Sequence, residues 1–346
     1  MSKAAEFLYL QQEEVIQCGG LDMDAYIAGA EKAFTLFEKG DCIERESPLI
    51  QWADGTGRRI AFHPAYVGGD VNVAGIKWIP SNPDNPAKLG LPRSNGLTIL
   101  TEPVSGYPLA VMDGKLISDM RTGAVAGVGA KYLAHDRAEV ITVLGAGPIA
   151  RTQLWAMART VPQISKIVVY DLVPAHARRF VEDMSARLGL DQSLFTVAES
   201  AEAAVREGDV VATSTNVSMA ERYLAYDWLK PGALIVNTSV NDPTFETLEK
   251  VDLIVVDIKD QLDVHRGKII LAAAAASGLV DRENIIELGR IITGLHPGRT
   301  GNGQKILFSP VGLGLHDLIN AKRVYDVARE KGVGTTLKLW DEPVWF

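Results

Sequence analysis

From residue 140 onward the chain alternates two kinds of stretch. Short, continuous apolar runs at 140–144, 166–170, 194–197, 209–213, 233–237 and 253–257 read as strands buried on both faces. Between them, residues 149–158, 174–188 and 200–207 carry helical spacing. This alternation predicts a doubly wound parallel sheet. The first part of the chain has a different rhythm. A strand is expected at 7–10, then a helix, then an amphipathic helix over 22–39 that stops at Gly40. Runs at 60–64, 74–80, 96–101 and 108–113, separated by Gly, Pro, Asn and Asp, predict an antiparallel sheet. A long helix of small residues follows at 116–133, and 315–331 is a helix near the C-terminus that is expected to pack back on the first part.

The strand at 140–144 breaks into Gly145-Ala146-Gly147, and Ala150 completes G-x-G-x-x-A at the start of a helix. The next strand ends in Asp171. Strand, glycine turn, helix, strand and acid together form a dinucleotide fingerprint. Gly145 permits the tight turn, Gly147 lets a pyrophosphate approach the backbone, and Ala150 lets the helix pack on its strand. The helix N-terminus offers N–H groups to phosphate. Asp171 can accept bonds from the ribose hydroxyls and repels a 2′-phosphate, which predicts NAD over NADP. The fold class is therefore α/β: a Rossmann-type doubly wound parallel sheet over 126–315, inserted in a discontinuous α+β domain made of 1–125 plus 316–346.

Composition narrows the function. The 346 residues are 47% hydrophobic and 23% charged, with a formal charge of −8 and no long basic run, so nucleic acid is not the expected partner. No apolar run reaches the length of a membrane span. The start, M-S-K-A-A-E-F-L, lacks the apolar core of a secretion signal, and only Cys18 and Cys42 occur, so a cytoplasmic setting without a structural disulfide is expected. No metal motif is present, and the six histidines are scattered.

Five positions are candidates for chemistry. Lys77 lies in the apolar G-I-K-W-I, either as a pocket lysine that holds a carboxylate or moves a proton, or as a surface lysine on an edge strand. Arg121 is either a bidentate carboxylate clamp or a solvated arginine on its helix's polar face. Asp242, in N-D-P, either orients or deprotonates an amine or caps a helix starting at Pro243; both roles are compatible. His63 and Arg59, on R-R-I-A-F-H-P, are candidates to line the same cleft, although a lone strand histidine is more often structural.

With these residues in place, the chain resembles the ornithine cyclodeaminase/mu-crystallin family over almost its whole length. The resemblance rests on G-I-K-W-I (75–79), S-G-Y-P-L-A-V-M-D-G (105–114), L-I-S-D-M-R-T-G-A-V (116–125), G-A-G-P-I-A (145–150), Y-D (170–171), N-D-P (241–243) and V-G-L-G-L-H-D-L (311–318). It implies NAD, a homodimer built through the non-nucleotide domain, and oxidation at a carbon bearing an amine. By position it implies catalytic roles for Lys77 and Asp242, and substrate contacts at Gln51, Lys77, Arg93, Arg121 and Val311. It implies cofactor contacts at Arg121, Gly145, Gly147, Pro148, Ile149, Asp171, Thr215 and Ser239. A surface salt bridge explains Arg93 equally well.

Within the family, P-S-N-P-D-N-P (80–86), P-R-S-N-G (92–96), I-T-G-L-H-P-G-R (292–299) and G-V-G-T-T-L-K-L (332–339) are most similar to a siderophore-pathway branch that forms 2,3-diaminopropionate. That likeness implies NAD-dependent oxidative cleavage of N-(2-amino-2-carboxyethyl)-L-glutamate, fed by a pyridoxal-phosphate-dependent amino-acid synthase. There are departures: Gln51 stands where relatives often carry a substrate-gripping arginine, His63 replaces a common methionine, and Thr244-Phe245 stand where cyclodeaminases place a lysine. These weigh against ornithine cyclisation. The rival readings are a cyclodeaminase for ornithine or another amino acid, an imine reductase, and a mu-crystallin-like ligand-binding protein without turnover.

Overall fold

The antiparallel run expected before residue 114 forms one sheet. Its strands are β1 (Ala5–Leu10), β2 (Cys42–Glu44), β3 (Leu49–Gln51), β4 (Arg59–Val67), β5 (Val73–Ser81), β6 (Leu97–Thr101) and β7 (Pro108–Asp113). Their order is β1-β7-β6-β5-β4-β2, with β3 also on β4, and only the β1–β7 pair is parallel. β4 runs through Pro64, opposite Ile76 of β5, although proline normally ends a strand reading. β5 lies between β4 and β6, so Lys77 sits on an interior strand and not on an edge. The computed structural model describes residues 4–44, 47–264 and 269–344.

The alternating half forms a second sheet. Its strands are β8 (Val140–Leu144), β9 (Lys166–Tyr170), β10 (Phe195–Val197), β11 (Val210–Thr213), β12 (Leu234–Asn237), β13 (Leu253–Val256), β14 (Ile285–Glu287) and β15 (Ile306–Phe308). They lie in the order β10-β9-β8-β11-β12-β15-β13-β14, and every pair is parallel. The chain turns one way from β8 to β9 and the other way to β11, which makes a topological switch point at the end of β8. Leu144, Val168, Val211, Ile235, Val256 and Leu307 are buried in this sheet's core, each contributing roughly 1.5–3 kcal/mol of apolar burial. β14 and β15 are three residues each, too short to show a period, and β15 inserts between β12 and β13 only in three dimensions.

After the second sheet comes the helix Gly314–Lys331, and then β16 (Thr335–Trp340), which pairs antiparallel with β1. The helix runs against β4 and β5: Leu318 approaches Gly75, and Gly314 approaches His63 and Ala65. Contacts divide the chain into two units, Met1–Asp22 with Leu36–Arg121 and Leu313–Phe346, and Met23–Thr35 with Thr122–Gly312. The sequence reading kept the helix Met23–Glu38 wholly with the first part. Most of it joins the second unit, where Asp24 pairs with Arg159 and Glu31 with Lys131 at 2.6 Å. In that unit Gly123, in the helix Gly114–Leu133, lies so close to the helix Pro148–Thr160 that a Cβ would come within 2.3 Å of the Thr152 carbonyl oxygen. Cys18 and Cys42 are free. Among the described residues no helix is long and apolar enough to cross a membrane.

Candidate functional site

The glycine turn sits at the switch point. Gly145 has φ +90, and a Cβ there would lie 2.7 Å from the Ser214 carbonyl, so both the turn and the close approach require glycine. A Cβ at Gly147 would meet nothing within 4 Å. Next to that open space the Pro148–Thr160 helix begins, with Pro148 at its first turn and no side-chain cap on its N-terminal N–H groups. At the end of β9, Asp171 accepts from the Ala146 N–H at 2.8 Å and from the Val173 N–H at 2.9 Å. A carboxylate has about four acceptor positions, so two remain for hydroxyls. Uncapped N–H groups, an open glycine and a fixed acid beside them fit a dinucleotide's pyrophosphate and ribose.

The second group of residues follows β12. Asp242 is fully buried. It accepts three O–H bonds, from Thr215 at 2.7 Å, Tyr223 at 3.1 Å and Ser239 at 2.5 Å. Burial, reinforced by the Asp242 charge, pushes the Tyr223 phenol up, so it stays a donor. Thr215 and Ser239, expected at the cofactor, thus point their hydroxyls at this carboxylate. The capping alternative for Asp242 is corrected: the helix is Phe245–Lys250, and Thr244 caps it by accepting from the Thr247 N–H at 3.2 Å. Val240 in the same turn has φ +66, a conformation that is strained for a β-branched residue and that clusters at functional sites.

Sequence reasoning missed Asp257, just after β13. Its buried carboxylate accepts the N–H groups of Val311 at 2.9 Å and Gly312 at 2.7 Å. Burial raises it to about 6 despite those bonds. It therefore fixes the turn that carries Val311, an expected substrate contact.

In the other unit, Lys77 and Arg121 meet on one acid. Lys77 is 1% exposed. Its Nζ lies 2.9 Å from Asp317 Oδ2 and donates to Ser118 Oγ at 3.1 Å. Arg121 Nε lies 3.2 Å from Asp317 Oδ1. Neither the edge-strand reading of Lys77 nor the solvated reading of Arg121 holds, because both are buried. Burial first, then the Arg121 charge, lowers Lys77 to about 8, against the opposing pull of Asp317. Burial and the same two cations bring His316 down to about 3, so its imidazole is neutral. Glu44 accepts from the Gly314 and Leu315 N–H groups at 3.0 and 3.1 Å, anchoring the start of the helix that carries Asp317. His316 and Asp317 lie in V-G-L-G-L-H-D-L, so a signal was present, but nothing local marks Asp317 as the shared partner.

Of the remaining candidates, His63 lies opposite Lys77 across β4 and β5. The His63 ring Nδ1 lies 2.8 Å from Ser47 Oγ. Gln51 is exposed and pairs with Arg59 across β3 and β4. Arg93 is half-buried, and burial and the nearby Arg59 charge lower its guanidinium.

Known proteins are similar to this chain in sequence and fold. A sequence profile of the ornithine cyclodeaminase/mu-crystallin family matches residues 8–332. An N-((2S)-2-amino-2-carboxyethyl)-L-glutamate dehydrogenase of Staphylococcus aureus is 34% identical over 97% of this chain and 99% of its own. The solved Δ1-pyrroline-2-carboxylate reductase of Thermococcus litoralis, in complex with NADH and L-proline, is 32% identical. It superposes with a TM-score of 0.86 over 95% of this chain and 99% of its own. An archaeal alanine dehydrogenase dimer with bound NAD is 31% identical, with a TM-score of 0.85 over 97% of this chain and 100% of its own.

Proposed function

The chain belongs to the ornithine cyclodeaminase/mu-crystallin family, and from that membership we infer that it is an NAD-dependent amino-acid oxidoreductase that cleaves a secondary amine. The observation that carries the substrate class is the buried cluster in which Lys77 and Arg121 share one contacting carboxylate, Asp317. Glu44 and Asp119 also act on these cations, and the guanidinium of Arg121 has the fork geometry to grip a substrate carboxylate in bidentate fashion.

The substrate proposed is N-(2-amino-2-carboxyethyl)-L-glutamate, which the Staphylococcus aureus relative is named for. NAD would supply the hydride acceptor for the glutamate Cα hydrogen, so that the amine nitrogen could give up its proton and a C=N bond form. Water adds at that carbon and the C–N bond breaks, releasing 2-oxoglutarate and 2,3-diaminopropionate. Lys77 and Arg121 hold carboxylate, and Asp242 takes the proton from the amine or from the attacking water. Supplying the substrate requires joining glutamate's nitrogen to a three-carbon amino acid, chemistry suited to a pyridoxal-phosphate enzyme. A homodimer is proposed by analogy with the archaeal alanine dehydrogenase.

The direct test is incubation with NAD and this amine, with NADH followed by absorbance and products by mass spectrometry. One NADH and one 2-oxoglutarate per amine consumed is the expected result. Turnover of ornithine without net NADH would identify a cyclodeaminase instead, and binding without any turnover would favour a ligand-binding role.

Two further outcomes follow from the geometry. Asp171 repels a 2′-phosphate, so NAD is expected to bind at least about tenfold tighter than NADP, or about 1.4 kcal/mol. Equal affinities by isothermal titration would remove that role. Lys77, brought to about 8, is charged below that pH and neutral above it. Carboxylate binding should therefore weaken as pH rises through this value, with KM rising up to about tenfold per unit at roughly pH 8.5–10. A KM that stays flat across this range would take Lys77 off the carboxylate.

A further inference from the structure

The carboxylate of Asp242 is held by an uneven set of donors. Thr215 and Tyr223 both donate to Oδ1, at 2.7 and 3.1 Å, and Ser239 donates to Oδ2 at 2.5 Å. Each carboxylate oxygen has about two acceptor positions, so Oδ1 is filled and Oδ2 keeps one open among the described residues. The Ser239 hydroxyl also lies 2.6 Å from Thr213 Oγ1, and its single hydrogen cannot serve both oxygens. Tyr223 has no such rival: Asp242 is its hydroxyl's one hydrogen-bond partner among the described residues. Burial and the Asp242 charge push the phenol up, so its hydrogen stays on the oxygen and points at the acid.

Tyr223 also meets Asp242 through the main chain. It lies in the connection between β11 and β12, whose helical pieces are two 3₁₀ turns, Met219–Glu221 and Tyr226–Trp228. The Tyr223 and Leu224 N–H groups both donate to the Asp242 carbonyl, at 3.0 and 2.8 Å. The Thr244 N–H donates back to the Leu224 carbonyl at 3.0 Å, and Leu224 bridges Pro243 in parallel. That same carbonyl takes the Thr247 hydroxyl at 2.8 Å, and the Leu224 side chain is fully buried. The Tyr223 ring is set 6.4 Å from the Trp228 ring, tilted by 42°. Backbone and hydroxyl of one residue therefore grip the same acid. On the other side of Asp242, Val240 is held at φ +66, a strained conformation that persists only where surrounding contacts over-determine it.

The geometry points to Tyr223 as a positioning residue for the proton transfer: it fills Oδ1 of Asp242 and so makes Oδ2 the atom that takes the proton. This rests on the proton-accepting role proposed for Asp242. In that step the amine N–H or water O–H bond breaks and an O–H bond forms at Oδ2. The electron pair stays on the nitrogen or the water oxygen, and Tyr223 keeps its own hydrogen. Asp242 is fully buried, so bulk water does not take the place of a lost donor. Without the phenol, Oδ1 has an open position too, and the carboxylate loses one of the bonds that fix its rotation.

The test is the rate of NADH formation by the full-length protein, for wild type, Tyr223→Phe, Asp242→Asn and the double variant. The substrate is whichever of the secondary amine, L-alanine and L-proline the wild type oxidises fastest. Tyr223→Phe keeps the ring, the Trp228 contact and both main-chain bonds. A misplacement of about 1 Å costs about 100-fold, and Thr215 and Ser239 remain as donors, so kcat is expected to fall about tenfold. KM and the NAD Kd should stay within about twofold, a split that a general loosening of the fold would not give. In the Asp242→Asn background the same change should alter the rate by less than about twofold, because Tyr223 acts through the carboxylate. A Tyr223→Phe variant with wild-type kcat, or one that slows Asp242→Asn by the same factor, would overturn the assignment. A wild-type rate in Asp242→Asn would strike the proton-accepting role and Tyr223 with it, as would a wild type that oxidises none of the three. Oxidation of alanine or proline but not of the amine would strike the proposed substrate alone, with the Tyr223 comparison decided on that amino acid.

Discussion

Asp242→Asn is expected to lower turnover by about 10²–10⁴-fold while leaving NAD affinity unchanged. The asparagine cannot take a proton near neutral pH. The turn at Gly145 and Gly147, the expected place for the cofactor's pyrophosphate, is a separate structure after β8, so cofactor binding should survive. Stability should not be untouched. Asp242 is buried and accepts three O–H bonds, and an amide offers only one oxygen to those donors. The hydroxyls of Thr215 and Ser239 can rotate to accept from the new NH₂, which holds the cost to about 1–3 kcal/mol. A urea melt, an NAD titration and a rate on one preparation separate the two effects. A variant destabilised by this amount that turns over within a few-fold of wild type would make Asp242 a structural acceptor only.

Asp317→Asn should be the most destabilising of the single changes considered. It leaves Lys77 and Arg121 buried without their contacting carboxylate, and removing one partner of a buried ion pair costs about 3–5 kcal/mol. Lys77 would respond by losing its proton, because Asp317 is the partner that most strongly favours its charged form. Substrate carboxylate binding should fall with it. The double variant Asp317→Asn, Lys77→Met should regain part of the lost stability, since it removes a buried charge along with its partner. Urea melts of the two single variants and the double variant give this coupling. Strictly additive losses would show that Lys77 and Asp317 do not act as a pair.

Much of the second sheet was legible because its signals are local. Four to five apolar residues, a glycine turn and an acid lie within one β-α-β stretch, and β9 falls on the expected residues 166–170. Strands with no period of their own were not legible. β15 has only Ile-Leu-Phe, and its place between β12 and β13 is a matter of packing. β16 reads as an irregular tail, since its Thr, Lys and exposed Leu residues show no buried face; its partner β1 lies at the other end of the chain. The site divides in the same way. Lys77 stood out as an expensive lysine in an apolar strand. Asp317 did not, because an acid near a helix start is common.

By itself, the sequence determined a parallel α/β sheet with a glycine turn at Gly145 to Ala150, an acid, Asp171, at the end of the next strand, and the candidacy of Lys77, Arg121 and Asp242. These follow from backbone geometry, side-chain size and charge over short stretches of chain. Only the tertiary structure decided how the charges are balanced. Arg121 and the Asp317 that holds it are 196 residues apart. Asp242 is a hydrogen-bonded acceptor and not a helix cap, because the fold brings Tyr223, Thr215 and Ser239 to it while Thr244 takes the cap. Asp257 fixes the turn at Val311 from 54 residues away. Burial raises the cost of an unpaired charge, and burial is a property of the assembled fold that no short stretch of sequence contains.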